Sequence, residues 1–472
     1  MTTRPQHETF PVRSLRLALA LFCFGWMGAA QAQGTLAVSE DGRRIVTNEG
    51  EPFFWLGDTA WELFHRLDRE EADRYLEDRA RKGFNVIQAV VLAELDGLHT
   101  PNPYGHTPLI DDPSRPDEAY FEHVDYIVDK AEALGMFVGM LPTWGDKFNL
   151  MWGMGPEVFT PENARAYGTF LGERYADDPV IWILGGDRIP GDDEDLAIIR
   201  AMAEGIASGH GDSQLMTYHP SGGRQSWEWF HEDSWLDFNF YQSGHGEPDN
   251  PNYEVTAAGY DLEPVKPVLD GEPRYEDHPI NWDPERGWYD AFDVRQAGYW
   301  SVLAGAAGHT YGNHNIWQMW EPGRKPISSA RTPWSEALTH PGAAHVGFMK
   351  ELFLSRPFLT LVPDQSVVAQ TSDGARHVRA ARDEQGRYLI AYTPYGWPFE
   401  VDLSGLSGAD ARAWWYDPRT GAAAKIGRFG EKGSVRFNPP GEGARGNDWV
   451  LVVDDASQDF PAPGDWPFDG AP

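Results

Sequence analysis

The sequence contains a single cysteine among its 472 residues, Cys23. One thiol cannot form an intramolecular disulfide, so the fold has to be held together by its apolar core. Basic residues are also scarce, because 39 lysines and arginines face 72 aspartates and glutamates, which gives a formal net charge of −33. A field of that sign opposes binding to nucleic acid and to anionic membrane surfaces. The sequence therefore predicts neither kind of partner.

The first residues have the composition of a secretory signal. Three arginines precede the apolar run Leu17–Ala30, and Ala30-Gln31-Ala32 matches the small-x-small pattern that comes before a cleaved bond. We interpret residues 1–32 as a signal peptide and expect a secreted or periplasmic protein. Cys23 lies inside this segment, so the mature chain would have no thiol nucleophile. No later stretch approaches the ~18 consecutive apolar residues of a membrane helix, so we expect no membrane span.

What the chain does have is a long alternation of short apolar runs and segments of helical period, in a composition that is 41% hydrophobic and 13% aromatic. This pattern is typical of βα units around a parallel sheet, and eight units make a closed (β/α)8 TIM barrel, predicted over residues 33–355. The predicted strands are Phe53–Gly57, Asn85–Leu92, Phe137–Pro142, Val180–Gly185, Gln214–His219, Asp237–Gln242, Pro267–Gly271 and His309–Met319. The predicted helices are Arg69–Lys82, Ala119–Leu134, Glu162–Tyr175, Asp193–Ser208 and Asp293–Gly305.

No predicted strand of this region is followed by a Gly-x-Gly-x-x-Gly or Walker-type loop, which argues against a doubly wound nucleotide-binding fold. The sequence also has no Gly-x-Ser-x-Gly elbow and no His-Glu-x-x-His, the motifs of serine hydrolases and of many zinc peptidases.

After residue 355 the sequence pattern changes to short predicted strands separated by turn residues. We predict a small antiparallel β-sandwich over residues 356–460, followed by a disordered tail at 461–472. The predicted strands are Ser366–Gln370, Tyr388–Tyr392, Ala411–Tyr416, Ser434–Phe437 and Trp449–Val453.

Two carboxylates stand out at predicted strand ends, where the active sites of such barrels gather. Asp187 follows two glycines after the fourth strand, and Glu272 follows the seventh. Cleavage of a glycosidic bond needs one carboxylic acid and one carboxylate, so this pair predicts a glycosidase. The alternative is structural: Asp187 would cap the next helix, and Glu272 would pair with Arg274 or Arg188.

The twenty tryptophans favour the same chemistry, because sugars stack their apolar faces on aromatic rings. Those near predicted strand ends are Trp55, Trp61, Trp144, Trp152, Trp282, Trp317 and Trp320. The residues predicted to bind substrate are Asp58, Trp61, Gln88, Trp144, Lys147, His219, Tyr241, Gln242, His245, His309, Tyr311 and His314. Lys147, Arg188 and Arg274 are candidates for a local cationic lining.

A metal site is the main rival for the histidines, since His219, His245, His309 and His314 could converge. However, metal-dependent barrel hydrolases usually carry His-x-His on the first strand, and here that place reads Gly57-Asp58-Thr59. We therefore predict neither a metal nor a cofactor.

Several motifs in order resemble the apiosidase-like barrels of glycoside hydrolase family 140. They are Trp55–Leu63, Lys82–Gln88, Gly185-Gly186-Asp187, Thr217–Pro220, Gln242–His245 and Gly308–Gly312. Trp414–Gly421 is similar to the β domain that accompanies these barrels, described as a collagen-binding domain of a collagenase. The resemblance covers nearly the whole mature chain.

The resemblance implies a retaining hydrolase of β-apiofuranosyl linkages in the pectic polysaccharide rhamnogalacturonan II. In it, Asp187 matches the acid/base and Glu272 the nucleophile. We expect burial and the Glu272 charge to raise the pKa of Asp187. Three alternatives stay open: a glycosidase acting on another furanoside or pyranoside, a non-catalytic carbohydrate-binding protein on the same scaffold, and a metal-dependent hydrolase.

Overall fold

The computed structural model describes residues 34–211, 213–369, 374–430 and 432–465. The predicted signal peptide, the end of the predicted strand Ser366–Gln370 and most of the predicted tail lie outside these ranges. Within the described residues, no helix has both the length and the apolar composition that crossing a membrane requires.

The described strands are β1 (Leu36–Val38), β2 (Ile45–Thr47), β3 (Trp55–Thr59), β4 (Val86–Leu92), β5 (Phe137–Thr143), β6 (Val180–Gly185), β7 (Met216–His219), β8 (Asn239–Tyr241), β9 (Val268–Asp270), β10 (Gly308–Tyr311), β11 (Leu361–Pro363), β12 (Arg379–Asp383), β13 (Tyr388–Thr393), β14 (Phe399–Asp402), β15 (Ala411–Asp417), β16 (Ala422–Phe429), β17 (Ser434–Phe437) and β18 (Trp449–Asp455). The described α-helices are α1 (Leu63–Arg66), α2 (Arg69–Arg81), α3 (Glu118–Ala133), α4 (Pro161–Arg174), α5 (Asp193–His210), α6 (Trp227–Phe230), α7 (Asn252–Tyr260), α8 (Ala291–Leu303), α9 (His314–Trp317), α10 (Trp334–Ala337) and α11 (Pro341–Leu354).

Strands β3 to β10 form the predicted barrel. Six of them pair in parallel in the order β10-β3-β4-β5-β6-β7, and β8 pairs in parallel with β9. The two sheets are joined on both sides, because the Asp237 amide donates to the Met216 carbonyl and the Ala307 amide donates to the Val268 carbonyl, each at 2.9 Å. The (β/α)8 fold class is confirmed.

Side chains alternate between the barrel interior and the surrounding helices. On β3, Trp55 lies in the interior and donates its indole proton to Thr310 at 3.1 Å, whereas Leu56 packs in the outer layer with Phe353 of α11. Both faces of these strands are buried, so their sequences show no polar and apolar alternation.

The predicted helices are present as α2, α3, α4, α5 and α8. The eighth predicted strand was too long, because the chain leaves the sheet at Tyr311 and α9 begins at His314. The Asn313 side chain accepts a hydrogen bond from the Asn315 amide at 3.0 Å and so caps this short helix.

The C-terminal region is antiparallel, with a six-stranded sheet in the order β11-β12-β13-β18-β15-β16 and a separate pair of β14 with β17. One face of the sheet, with Tyr392 and Val452, packs on the barrel helices α8 and α11. The other face, with Leu451 and Val453, packs on the β14–β17 pair. A buried ion pair of Arg295 in α8 with Asp448 at 2.7 Å fastens the region to the barrel, and a second, of Arg356 with Asp454 at 2.8 Å, holds the chain that leaves α11 against β18.

The predicted strand at Ser366–Gln370 is wrong, because a 3-10 turn over Gln365–Val367 occupies its start and is capped by Asp364. Strand β16 shows no apolar alternation in the sequence, because it begins with three alanines and five of its eight residues are exposed. The described part of the predicted tail contacts the barrel: the Pro461 carbonyl accepts from Arg356, and the Gly464 amide donates to Ser355.

Candidate active site

The turn after β6 has a backbone conformation that few residue types other than those present can adopt without strain. Gly185, Gly186 and Asp187 have φ angles of 95°, 103° and 55°, a left-handed conformation that glycine adopts freely and aspartate tolerates. A Cβ on Gly185 would lie 2.5 Å from the His219 carbonyl, and one on Gly186 would lie 2.9 Å from the Trp144 Cα. The two glycines therefore let the chain pass between two neighbouring loops and present Asp187 at the mouth of the barrel.

The Asp187 carboxyl keeps 23% of its surface exposed and faces the pocket. Its Oδ2 accepts a hydrogen bond from the indole of Trp152 at 3.2 Å. The capping alternative is wrong, because the N-cap of the next helix, α5, is Asp192.

Glu272, at the end of β9, is held by two imidazoles. Its Oε1 accepts a hydrogen bond from His245 Nε2 at 3.0 Å, and its Oε2 lies 3.0 Å from His219 Nε2. The second ring is not aligned for a linear hydrogen bond, so its attraction is mainly electrostatic. Glu272 thus contacts histidines rather than the arginines of the structural alternative.

His219 of β7 connects the two carboxylic residues. Its Nδ1 accepts a hydrogen bond from the Asp187 backbone amide at 3.2 Å. A neutral imidazole that accepts at one nitrogen carries its proton on the other, so the Nε2 proton faces Glu272. The residue therefore orients the turn of Asp187 and stabilises the negative charge of Glu272 at the same time.

These contacts separate the pKa values of the two carboxyl groups. Burial would raise the pKa of Glu272, but the approach of His219 and His245 outweighs it and lowers this pKa to about 2. Burial, followed by the negative charge of Glu272, raises the pKa of Asp187 to about 7. The expected direction for Asp187 and its two causes are confirmed. Near pH 5 the site holds one carboxylic acid and one carboxylate.

The two groups open into a pocket of about 900 Å³ at the carboxyl ends of the strands. Its aromatic lining consists of Trp61, Trp144, Trp152, Tyr275, Trp282 and Trp317. Trp61 and Trp144 lie with ring centroids 5.3 Å apart, and Trp61 meets the His219 ring edge-on at 5.4 Å. The arrangement fits a ring-shaped polar ligand with apolar faces.

Five of the predicted binding residues gather here. Trp61, Trp144, Gln242 and His245 line the pocket, and His219 lies directly beneath it. The Oε1 of Gln242 is buried and has no hydrogen-bond partner within the described residues.

Four other predicted binding residues face outward from the barrel, because strand parity turns them toward the helices. Asp58 pairs with Arg79 of α2, and Tyr241 bonds to Thr256 of α7 at 2.7 Å. The His309 ring packs near Gly298 of α8, and Tyr311 donates to Glu276 at 2.6 Å. Their assignment to substrate binding is wrong.

The three remaining predicted binding residues are engaged elsewhere. Gln88 points into the barrel below the pocket and donates to the Gly271 carbonyl at 3.1 Å. Lys147 is buried and pairs with Asp146 at 2.6 Å, and His314 contacts the carbonyls of Ile327 and Ser328 in a layer behind the pocket.

The predicted cationic lining is also wrong. Lys147 is neutralised by Asp146, while Arg188 is buried and donates to the carbonyl oxygens of Asn149, Asp187 and Trp152. Arg274 is buried outside the pocket wall. Nor do the four histidines of the metal hypothesis converge, since His219 and His245 contact Glu272 while the ring of His309 lies on the outer side of β10, against α8.

Sequence reasoning gave no role to two residues of the pocket wall, Glu94 and Tyr275. Burial, followed by the charge of Asp187, raises the pKa of Glu94 to about 8. Its position two residues after β4 places it among the polar residues that follow a predicted strand, the first group to consider as site residues in such a barrel. The Tyr275 ring contacts the His245 ring with centroids 4.3 Å apart and an interplanar angle of 47°, a contact made by a long loop after β9.

Comparison with known proteins agrees with this geometry. Residues 39–360 match the family model described as "Apiosidase-like, catalytic domain". The chain belongs to the apiosidase-like family. Residues 362–454 of this apiosidase-like protein match the model "Putative collagen-binding domain of a collagenase". The matched descriptions carry no family number, so membership of family 140 stays a prediction.

Two solved structures support the same assignment for the apiosidase-like chain. One, titled a glycoside hydrolase, is 38% identical, with 91% of this chain and 98% of that chain covered and a TM-score of 0.84. The other, a family 5 glycoside hydrolase from Bacteroides vulgatus ATCC 8482, is 36% identical, with 91% and 96% covered and a TM-score of 0.85. The search of curated proteins gave no match. The protein is a glycoside hydrolase.

Proposed function

We propose that the protein is a secreted retaining glycosidase that cleaves β-apiofuranosyl linkages in side chains of pectic rhamnogalacturonan II, with Asp187 as acid/base and Glu272 as nucleophile. The apiosidase-like family supports the sugar. The opposite ionisation of the two carboxyl groups, arranged around one imidazole, carries the chemistry.

In the first step, an oxygen of ionised Glu272 attacks the anomeric carbon while the bond to the leaving oxygen breaks. Protonated Asp187 donates its proton to that oxygen, so the leaving group departs as an alcohol. His245 and His219 hold the attacking carboxylate at the end of β9.

In the second step, Asp187 takes a proton from water, and the resulting hydroxide attacks the anomeric carbon and releases Glu272 as a carboxylate. The glycosyl ester has no charge at Glu272, so one cause of the raised pKa of Asp187 is lost in the intermediate. Asp187 therefore changes from acid to base when the mechanism requires it.

The test is a screen of purified protein against defined pectic side chains, with the released monosaccharide identified. We expect free apiose with retained anomeric configuration. Release of a different sugar would replace the substrate and keep the chemistry. Binding of oligosaccharide without release of any reducing end would refute the enzymatic proposal.

Glu272→Ala provides the mechanistic arm of this test. Loss of the nucleophile should lower kcat by at least about 1,000-fold, because the covalent step is removed. The circular dichroism spectrum should match that of the unaltered protein. A folded variant that keeps more than about a tenth of the activity would remove Glu272 from this role.

A further inference from the structure

Glu94 is a residue of the pocket wall that the proposed mechanism does not use. The described lining contains five carboxyl groups, and four of them accept hydrogen bonds from side chains of the protein. These four pairs are Asp187 with Trp152, Glu247 with Arg286, Asp249 with Gln296, and Glu272 with His245. The Glu94 carboxyl group has no hydrogen-bond partner within the described residues, and the residue is partly exposed in the pocket. Its hydrogen-bonding capacity is therefore available to a ligand.

The chain on both sides of Glu94 is held by hydrogen bonds. The Leu92 carbonyl, at the end of β4, accepts from the first amide after β5 at 3.0 Å. The Leu95 amide donates to the buried Glu62 carboxylate at 3.0 Å, and His65 lies 2.6 Å from the same carboxylate. The side chain of Glu94 thus starts from a preformed backbone, so little conformational entropy is lost when a ligand contacts it.

Glu94 lies on the Asp187 side of the barrel mouth. It follows β4, which is two strands along the sheet from β6, the strand that leads to Asp187. Burial, then the charge of Asp187, raises the pKa of Glu94 to about 8. The charges of Glu62 and Asp146 add to this rise, and the charge of Arg188 opposes it. Near pH 5, Glu94 is therefore an uncharged carboxylic acid.

An uncharged carboxylic acid suits a sugar hydroxyl group. The acid donates through its O–H and accepts through its C=O, whereas a carboxylate only accepts. A hydroxyl group also donates and accepts, so the two groups are complementary. A general acid must reach the leaving oxygen, so the leaving sugar lies on the Asp187 side of the pocket. Glu94 borders the same side.

We propose that Glu94 binds the leaving sugar unit by donating a hydrogen bond to one of its hydroxyl groups. The proton for the leaving oxygen still comes from Asp187, and Glu94 keeps its own. This inference rests on the proposed function, because the role of Asp187 defines the leaving side. It adds a residue that selects a polyhydroxylated leaving unit over a simple alcohol.

The experiment compares two substrates at pH 5, β-apiofuranosyl galactose and methyl β-apiofuranoside. Both leaving groups are alcohols that need a proton from Asp187, but only galactose carries hydroxyl groups for Glu94 to bind. The measured quantity is the ratio of kcat/KM for the disaccharide to kcat/KM for the methyl glycoside. A partial loss of folded protein lowers both values equally, so the ratio reports only on recognition of the leaving unit.

Glu94→Ala should lower this ratio about three- to tenfold, the contribution of one uncharged hydrogen bond. Glu94→Leu also removes the hydrogen bond but leaves less empty space, and it should lower the ratio by the same factor. Glu94→Gln keeps one donor group and one acceptor and should hold the ratio within about twofold. Glu254→Gln, at an exposed position of α7, is the matched control and should leave the ratio unchanged.

The outcomes separate the inference from the proposed function. If the ratio is unchanged in both Glu94→Ala and Glu94→Leu, the inference is overturned, while hydrolysis of both substrates still supports the proposed function. A Glu94→Gln variant that loses as much of the ratio as Glu94→Ala would also overturn it, because the residue would then act as a carboxylate. If the unaltered protein hydrolyses neither apioside, the proposed function fails, and the inference fails with it.

Discussion

Replacing Asp187 by asparagine should make the protein more stable in alkaline solution. The pKa of this carboxyl group lies at about 7 instead of 3.8, because burial and the charge of Glu272 disfavour its ionised form. At about 1.4 kcal/mol per pKa unit, ionising the group in the folded protein costs at most roughly 4 kcal/mol. The side chain keeps 23% of its surface exposed, so solvent screening reduces the expected effect to about 1–3 kcal/mol.

The sign of the effect follows from proton linkage. Below about pH 4, Asp187 is protonated in both the folded and the unfolded chain, so it contributes no pH dependence. Between about pH 4 and 7 only the unfolded chain releases the proton, so the free energy of unfolding falls as the pH rises. Asparagine cannot ionise, so the Asp187→Asn variant lacks this loss.

The assay is urea denaturation of the unaltered protein and the variant at about pH 4.5 and pH 8. The stability difference between variant and unaltered protein should become about 1–3 kcal/mol more favourable to the variant at the higher pH. Asp177→Asn is the matched control, because this exposed aspartate lies in the loop between α4 and β6. The reasoning is refuted if the Asp187→Asn difference is the same at both pH values.

Three further predictions concern the site and its support. His245→Ala removes a hydrogen bond that lowers the pKa of Glu272, so the acidic limb of the kcat/KM profile should move up by about one pH unit; an unmoved limb would contradict the contact. Gly186→Ala forces a Cβ within 2.9 Å of neighbouring backbone at a φ of 103°, so the unfolding free energy should fall by about 1–3 kcal/mol; calorimetry showing no change would argue against this turn. Arg295→Met leaves Asp448 buried without its cation and should cost about 3–5 kcal/mol in urea denaturation; a neutral result would mean that the pair does not fasten the β region to the barrel.

The order of apolar runs and helical segments was enough to predict the barrel, because each βα unit consists of a short apolar run followed by a segment of helical period. Chain order also placed Asp187 and Glu272 correctly, since the carboxyl ends of parallel strands meet at one mouth. Both line the pocket. The boundary at Tyr311 was missed because the apolar residues of α9 continue the strand composition.

Whether a given strand residue points into the barrel or toward the helices could not be predicted from the sequence. Asp58 and His309 lie on barrel strands near residues that line the pocket, but their side chains point outward to the helices α2 and α8. Strands that are buried on both faces show no alternation of polar and apolar residues. Neighbouring residues on such a strand point to opposite faces, but the sequence does not show which residue points to which face.

The sequence by itself determined the fold class and the two carboxylic residues, because both depend on local period and on position along the chain. Only the tertiary structure decided how these residues ionise. His219 and His245 reach Glu272 from two other strand ends, and the mutual distance of such groups sets their pKa values. Electrostatic energy depends on separation and burial in space, and neither can be read from separation along the chain.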